Sequence, residues 1–241
     1  MHVGSDELSN ITFINVLVVT IIAKIVVHYI ERYTNITIGT KLLQYLSNFN
    51  TLFHELGHAL VALLLGNRTS RIELYSNSEG VAISHTMSGI RGWIPRIIVS
   101  LAGYPFSSFI AFISIYLVSS GHVVILLFSY LIIVLLSLLV WIRNIYGAFW
   151  SLSFIAMFSA LIYYQDHLWI NTVITALVTF LFLESITTAL GILRMSLRTP
   201  KEAGDTSSLA SYTKIPAPFW GVLFSIQALY FAYQSIQLVN L

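Results

Sequence analysis

Residues 123–142 read VVILLFSYLIIVLLSLLVWI, twenty positions without one charged side chain. An α-helix rises about 1.5 Å per residue, so a run of this length crosses the ~30 Å hydrocarbon layer of a bilayer. Residues 11–30 form a comparable run, broken by few polar groups. Charged residues make up 9% of the chain, against about 25% in a soluble domain; a well-filled core does not explain so large a deficit. Seven spans follow, at roughly 11–31, 43–66, 93–119, 122–142, 146–164, 168–192 and 217–239. The expected fold class is an all-α polytopic membrane protein with about seven transmembrane helices and a short β-hairpin.

The joints at Gly121-His122, Arg143-Asn144 and Asp166-His167 are short enough to force antiparallel helical hairpins. Two connections are longer. In residues 67–91, Ile72 and Leu74, then Val81 and Ile83, alternate with polar residues around Asn77-Ser78-Glu79-Gly80. Alternation about turn residues predicts a β-hairpin at about 70–86. Residues 193–216 carry Arg194, Arg198, Lys201, Glu202, Asp205 and Lys214, with prolines at Pro200 and Pro216, and read as a polar interfacial loop. No segment is long enough for a separate soluble domain, so residues 1–241 are expected to form one membrane-embedded domain.

Positive charge sets the expected orientation. With seven spans, Arg68, Arg71, Arg91, Arg96, Arg143, Arg194, Arg198, Lys201 and Lys214 fall on one side, Arg32 and Lys41 on the other. Nine against two places the N-terminus and both long connections in the cytoplasm. The acids near the N-terminus and the lack of a small-residue cleavage site predict that the first apolar run is retained. A net charge of +2 suggests no nucleic-acid partner, and with no cysteine there are neither disulfides nor thiolate metal sites.

Within the second span the sequence reads FHELGHAL, residues 53–60. His54 and His58 are four residues apart, so a helix projects both imidazoles from one face, and two neutral imidazoles at that spacing bind one Zn²⁺. Glu55 follows His54, placed to reach a metal-bound water rather than the metal. Such a carboxylate takes the water's proton and returns it to a leaving amine, which is the chemistry of amide hydrolysis. A chance H-E-x-x-H is common in soluble chains. Inside a membrane span, ionisable residues are costly and mark function. Eight residues separate His58 from Gly66, about 12 Å of helix, so the site is expected below the cytoplasmic surface yet within reach of water.

A span carrying HELGH, then a polar hairpin, then another span resembles the site-2 protease family of intramembrane zinc metalloproteases. HELGHALVALLLGNRTSRIEL resembles that family's zinc helix running into its hairpin. Ser100-Leu101-Ala102-Gly103-Tyr104-Pro105 resembles its A-G-P-type motif, with a tyrosine inserted and Ser107 or Ser108 standing for a later asparagine. Arg143-Asn144-Ile145-Tyr146-Gly147 resembles the R-N-x-x-G element of the compact B-like branch of bacterial and plant members. Asp205, Leu209, Ala210, Thr213 and Pro216 fit that branch's D-x-x-x-L-A-x-x-T-x-x-P stretch. The family's L-D-G motif, usual source of the third ligand, does not occur.

A catalytic zinc takes three protein ligands and leaves one position open. Asp205, Glu184, His85 and Asp166 are the candidates for the third. Asp205 rests on its place in the branch's motif, Glu184 on lying at the depth of His58. Asp166 falls on the outer side, and His85 at the hairpin's end. The resemblance implies one catalytic Zn²⁺ held by His54, His58 and Asp205, with Glu55 as base. It also implies a membrane-protein substrate cut in or near its transmembrane segment, and residence in a bacterial cytoplasmic membrane. Asn144 is expected either to face the cavity or to cap a helix. The rival reading is a non-proteolytic membrane scaffold or chaperone that keeps the fold; a carrier is a weaker one, since no inverted repeat is present.

Overall fold

A computed structural model describes residues 5–34, 37–85 and 90–239. Among these, the chain forms α1 (Ser5–Thr34), α2 (Ile38–Leu64), β1 (Arg68–Leu74), β2 (Gly80–His85), α3 (Ile90–Ser119), α4 (Val123–Val140), α5 (Ile145–Tyr164), α6 (His167–Arg198), α7 (Gly204–Thr213) and α8 (Ala217–Val239). The architecture is the expected helical one. Six helices, α1, α3, α4, α5, α6 and α8, are long and apolar enough to cross a membrane.

The seventh expected span, α2, is long enough at 27 residues but is not among the six. Lys41, Gln44, Ser47, Asn48, Asn50, Thr51, His54, Glu55 and His58 dilute its apolar character. It is nevertheless the centre of the molecule, packing against α1, α3, α6 and both strands. Its buried positions include Asn48, Phe49, Asn50, Phe53, Glu55 and His58. A Cβ on Gly57 would lie 2.7 Å from the Phe106 Cβ and 2.9 Å from the Ala102 carbonyl, so the missing side chain lets α2 and α3 cross nearly backbone to backbone. α2 ends at Gly66, whose φ of +77° permits the 6→1 bond from Asn67 N–H to the Ala62 carbonyl (2.9 Å) and the 5→2 bond from Gly66 to Leu63 (3.0 Å).

Where α2 meets α4 and α5, the core is aromatic. Phe49 meets Phe53, Tyr130 and Phe154 at centroid separations of 5.2, 4.9 and 5.4 Å, tying α2 to α4 and α5. The polar ends of these rings are satisfied: Tyr130 donates to Ser114 Oγ at 2.7 Å and Trp150 Nε1 to the Tyr45 carbonyl at 2.9 Å. A second, smaller core joins Ile192, Ala203, Leu209, Trp220 and Phe224. It seats α7, which lies within the segment read from sequence as an interfacial loop. Trp220 belongs to this core and is buried.

β1 and β2 pair antiparallel, Ile72 opposite Ala82 and Leu74 opposite Gly80. The turn between them places Ser78 at φ +64°. The hairpin lies against α2 through two side chains of that helix: Thr51 Oγ1 donates to the Ser78 carbonyl at 2.8 Å, and Asn48 Nδ2 to the Tyr75 carbonyl at 3.1 Å.

Candidate metal centre

The i, i+4 spacing on α2 does what helix geometry requires: the two imidazoles stand on one face, with His54 Nε2 and His58 Nε2 3.1 Å apart. α7 brings Asp205 to the same point. Its Oδ2 lies 3.1 Å from His54 Nε2 and 3.2 Å from His58 Nε2. Among the described residues these three form a group able to hold a metal ion. Ligands at about 2.0–2.1 Å around a tetrahedral ion stand about 3.3 Å apart, so the nearly equilateral triangle of two nitrogens and one carboxylate oxygen fits zinc in donor type and spacing.

The surroundings prepare the donors. His58 Nδ1 lies 2.7 Å from the Val99 carbonyl. A carbonyl only accepts, so Nδ1 carries the proton and Nε2 keeps a free lone pair toward the triangle. The backbone of α3 closes the opposite side at Gly103, where a Cβ would lie 2.5 Å from His58 Nε2 and would also strike the His54 ring. Pro105, inside α3, lacks the N–H that would bond the Leu101 carbonyl, which loosens the helix at this contact. Tyr104 packs its ring on His54 (4.5 Å between centroids) and on Phe224 (4.8 Å), joining the centre to the α7 core.

Glu55 stands beside the triangle beneath the hairpin. A Cβ at Gly80 would sit 2.9 Å from Glu55 Cγ and 3.1 Å from Glu55 Oε1. A cavity of about 800 Å³ opens here, lined by His54, Glu55, His58, Asp205 and the outer face of β2 from Gly80 to Ala82. Asn50, one helical turn before His54, also lines it, with its Oδ1 buried and unpartnered.

The other candidates lie elsewhere. Glu184 forms an ion pair with Lys24 of α1. Asp166 caps α6, accepting from Leu168 N–H at 2.9 Å and Trp169 N–H at 3.2 Å. The His85 side chain lies outside the described residues. Ser107 donates to the Tyr104 carbonyl at 3.1 Å, and neither it nor Ser108 lines the cavity. Asn144 does not line the cavity; it occupies the N-cap position of α5, but its side chain makes no cap bond and pairs instead with the main chain of Leu74. Sequence reasoning missed Gly103 as a spacer and Val99 as the acceptor that orients His58. The A-G-Y-P motif held a signal for the first; a main-chain carbonyl leaves none.

A bundle of apolar helices around a half-buried His-His-carboxylate triangle, with a glutamate alongside, defines a membrane-embedded protein built like a metallohydrolase. The family model described as Peptidase M50B-like matches residues 16–235, and the chain belongs to that metallopeptidase family of the site-2 protease group. No curated protein and no solved structure matches the chain.

Proposed function

We propose that this chain is an intramembrane zinc metallopeptidase that hydrolyses peptide bonds in or near the transmembrane segments of other membrane proteins. The observation that carries the reading is the donor triangle of His54, His58 and Asp205 with Glu55 beside it at the head of a cavity. When bound, zinc supplies a Lewis acid that brings the pKa of water to about 7 and polarises a peptide carbonyl. His54, His58 and Asp205 hold it. Glu55, lodged beneath Gly80 of the hairpin, takes the proton of the attacking water and passes it to the leaving amine.

An unwound substrate segment must have its peptide groups satisfied inside the membrane. β2 is suited to that task. Ile72 turns its N–H and carbonyl away from β2, toward residues 141–143. The opposed Ala82 therefore points its own polar groups outward, over the cavity. An extended substrate docked there adds a strand. The orientation that suits this arrangement places the N-terminus and the cavity mouth on the cytoplasmic side, as the positive charges suggest.

The test uses the purified full chain in proteoliposomes with a designed transmembrane peptide broken by Gly-Pro near one end. Wild type is expected to bind one zinc and cleave the peptide, whereas Glu55→Gln keeps the zinc and loses about 10²–10⁴-fold in rate. Hydrolysis undiminished in Glu55→Gln would refute the mechanism. Zinc that is substoichiometric and indifferent to His54→Ala would favour the scaffold reading.

A further inference from the structure

The joint between α4 and α5 reads Trp141-Ile142-Arg143-Asn144-Ile145-Tyr146-Gly147, and each of its features meets the hairpin or makes that meeting possible. Ile72 N–H donates to the Trp141 carbonyl at 2.8 Å and Arg143 N–H to the Ile72 carbonyl at 3.2 Å, a short parallel bridge on the outer edge of β1. Two residues on, Asn144 takes over the pairing with its side chain. Its Oδ1 accepts from Leu74 N–H at 3.2 Å and its Nδ2 donates to the Leu74 carbonyl at 2.6 Å. A side-chain amide here does what a further strand residue would do.

The neighbours explain themselves by this arrangement. Arg143 directs its guanidinium at the last carbonyls of α4, reaching Val140 at 2.6 Å, Ile142 at 2.8 Å and Leu139 at 3.1 Å. It caps that helix and fixes where the joint begins. Gly147 is bare because a Cβ there would lie 2.5 Å from Asn144 Oδ1 and 2.9 Å from Ile142 Cγ2. Tyr146 Oη accepts from Asn48 Nδ2 at 3.0 Å, the same amide that donates to the Tyr75 carbonyl.

The path from the joint to the site is short. Leu74 is paired with Gly80, and Ile72 with Ala82. Gly80 rests on the Glu55 side chain, where an added Cβ would lie 2.9 Å from Cγ and 3.1 Å from Oε1, and Ala82 lines the same cavity as Glu55. We propose that residues 141–147 form a bracket holding the hairpin at a fixed height over Glu55, and that Asn144 is the positioning residue through which the α4–α5 joint sets the orientation of that carboxylate. The proposal rests on the peptidase reading for its effect on turnover, not for its mechanical part. Asn144 touches neither the donor triangle nor the cavity, so its role is separable from metal binding.

Three variants of the full chain in proteoliposomes test it: Asn144→Leu removes both bonds, Asn144→Asp keeps the acceptor and loses the donor, and Gly147→Ala drives the amide off Leu74 while leaving Asn144 in place. Three quantities are read on each: zinc content, turnover of the Gly-Pro peptide per bound zinc, and hydrogen exchange along the chain. The expected result is unchanged zinc, exchange accelerated at residues 72–82 but not across α2, and turnover per zinc lowered about 10- to 100-fold, the cost of misplacing a reacting group by about 1 Å. Gly147→Ala keeps the test open should Asn144→Leu fail to fold. Full turnover per zinc with wild-type exchange at residues 72–82 would overturn the proposal. So would losses that track zinc content or spread over every helix. Were wild type itself inactive, the peptidase reading would fall, while exchange confined to residues 72–82 would still support the bracket.

Discussion

At the residue scale, the centre depends as much on what is missing as on what is present. Gly103 presents bare backbone to His54 and His58, and no rotamer choice relieves a Cβ there. Gly103→Ala is expected to displace the imidazoles and weaken zinc binding about 10- to 100-fold, the range seen when groups supporting metal ligands are disturbed. Competition with a chelator measures the affinity, and unchanged helical circular dichroism shows that the fold survives. Affinity equal to wild type would show that α3 does not close the site. These residues also mark how far the sequence could be read. His54, Glu55 and His58 were legible because a helix converts spacing directly into a shared face. Asp205 was legible only through a family motif, since nothing local ties a loop carboxylate to histidines about 150 residues earlier. The place of Asn144 at a helix end was legible, but its pairing with Leu74 was not, because its partners are main-chain atoms, which no side-chain pattern encodes.

At the element scale, α7 decides whether there are two ligands or three. This helix of ten residues is too short to be stable alone, and Leu209, fully buried with Ile192, Trp220 and Phe224, is what anchors it. Leu209→Ala leaves a cavity worth about 2–5 kcal/mol, a cost that falls on the seating of α7 rather than on the six apolar helices. Zinc affinity is expected to drop with His54 and His58 intact, and limited proteolysis should cut first within residues 199–216. Proteolysis spread evenly over the chain would contradict this. α7 was not legible in advance, because one buried leucine in ten residues leaves no helical periodicity. The hairpin was legible from alternation about a turn, and the apolar helices from length. α2 was the ambiguous one, since the polar residues that make it the centre also dilute the signal of a span.

At the scale of the whole molecule, the apolar helices surround a cavity that polar segments line: β2, the start of α7 and one face of α2. The natural absence of cysteine makes that arrangement testable one thiol at a time. Ser78→Cys and Ser208→Cys, both at the cavity, are expected to react with a charged, impermeant maleimide added from the cytoplasmic side. Ser114→Cys, in the buried bond with Tyr130, should stay unmodified from either side. Labelling of residues 78 and 208 from opposite faces would break the proposed topology.

The pair between Lys24 and Glu184 joins the first helix to the sixth, with the Lys24 ammonium also 4.8 Å from the centre of the Phe180 ring. The two residues are 160 positions apart, and at about 5–20 residues per second a ribosome needs roughly 10–30 s to make the second after the first. For that interval α1 carries an uncompensated ammonium, at a cost of about 2.5–3.5 kcal/mol near the centre of a bilayer. The order of synthesis therefore becomes an order of assembly. α1 is expected to settle fully only once α6 has emerged, and the bundle to close around the site after both have been made.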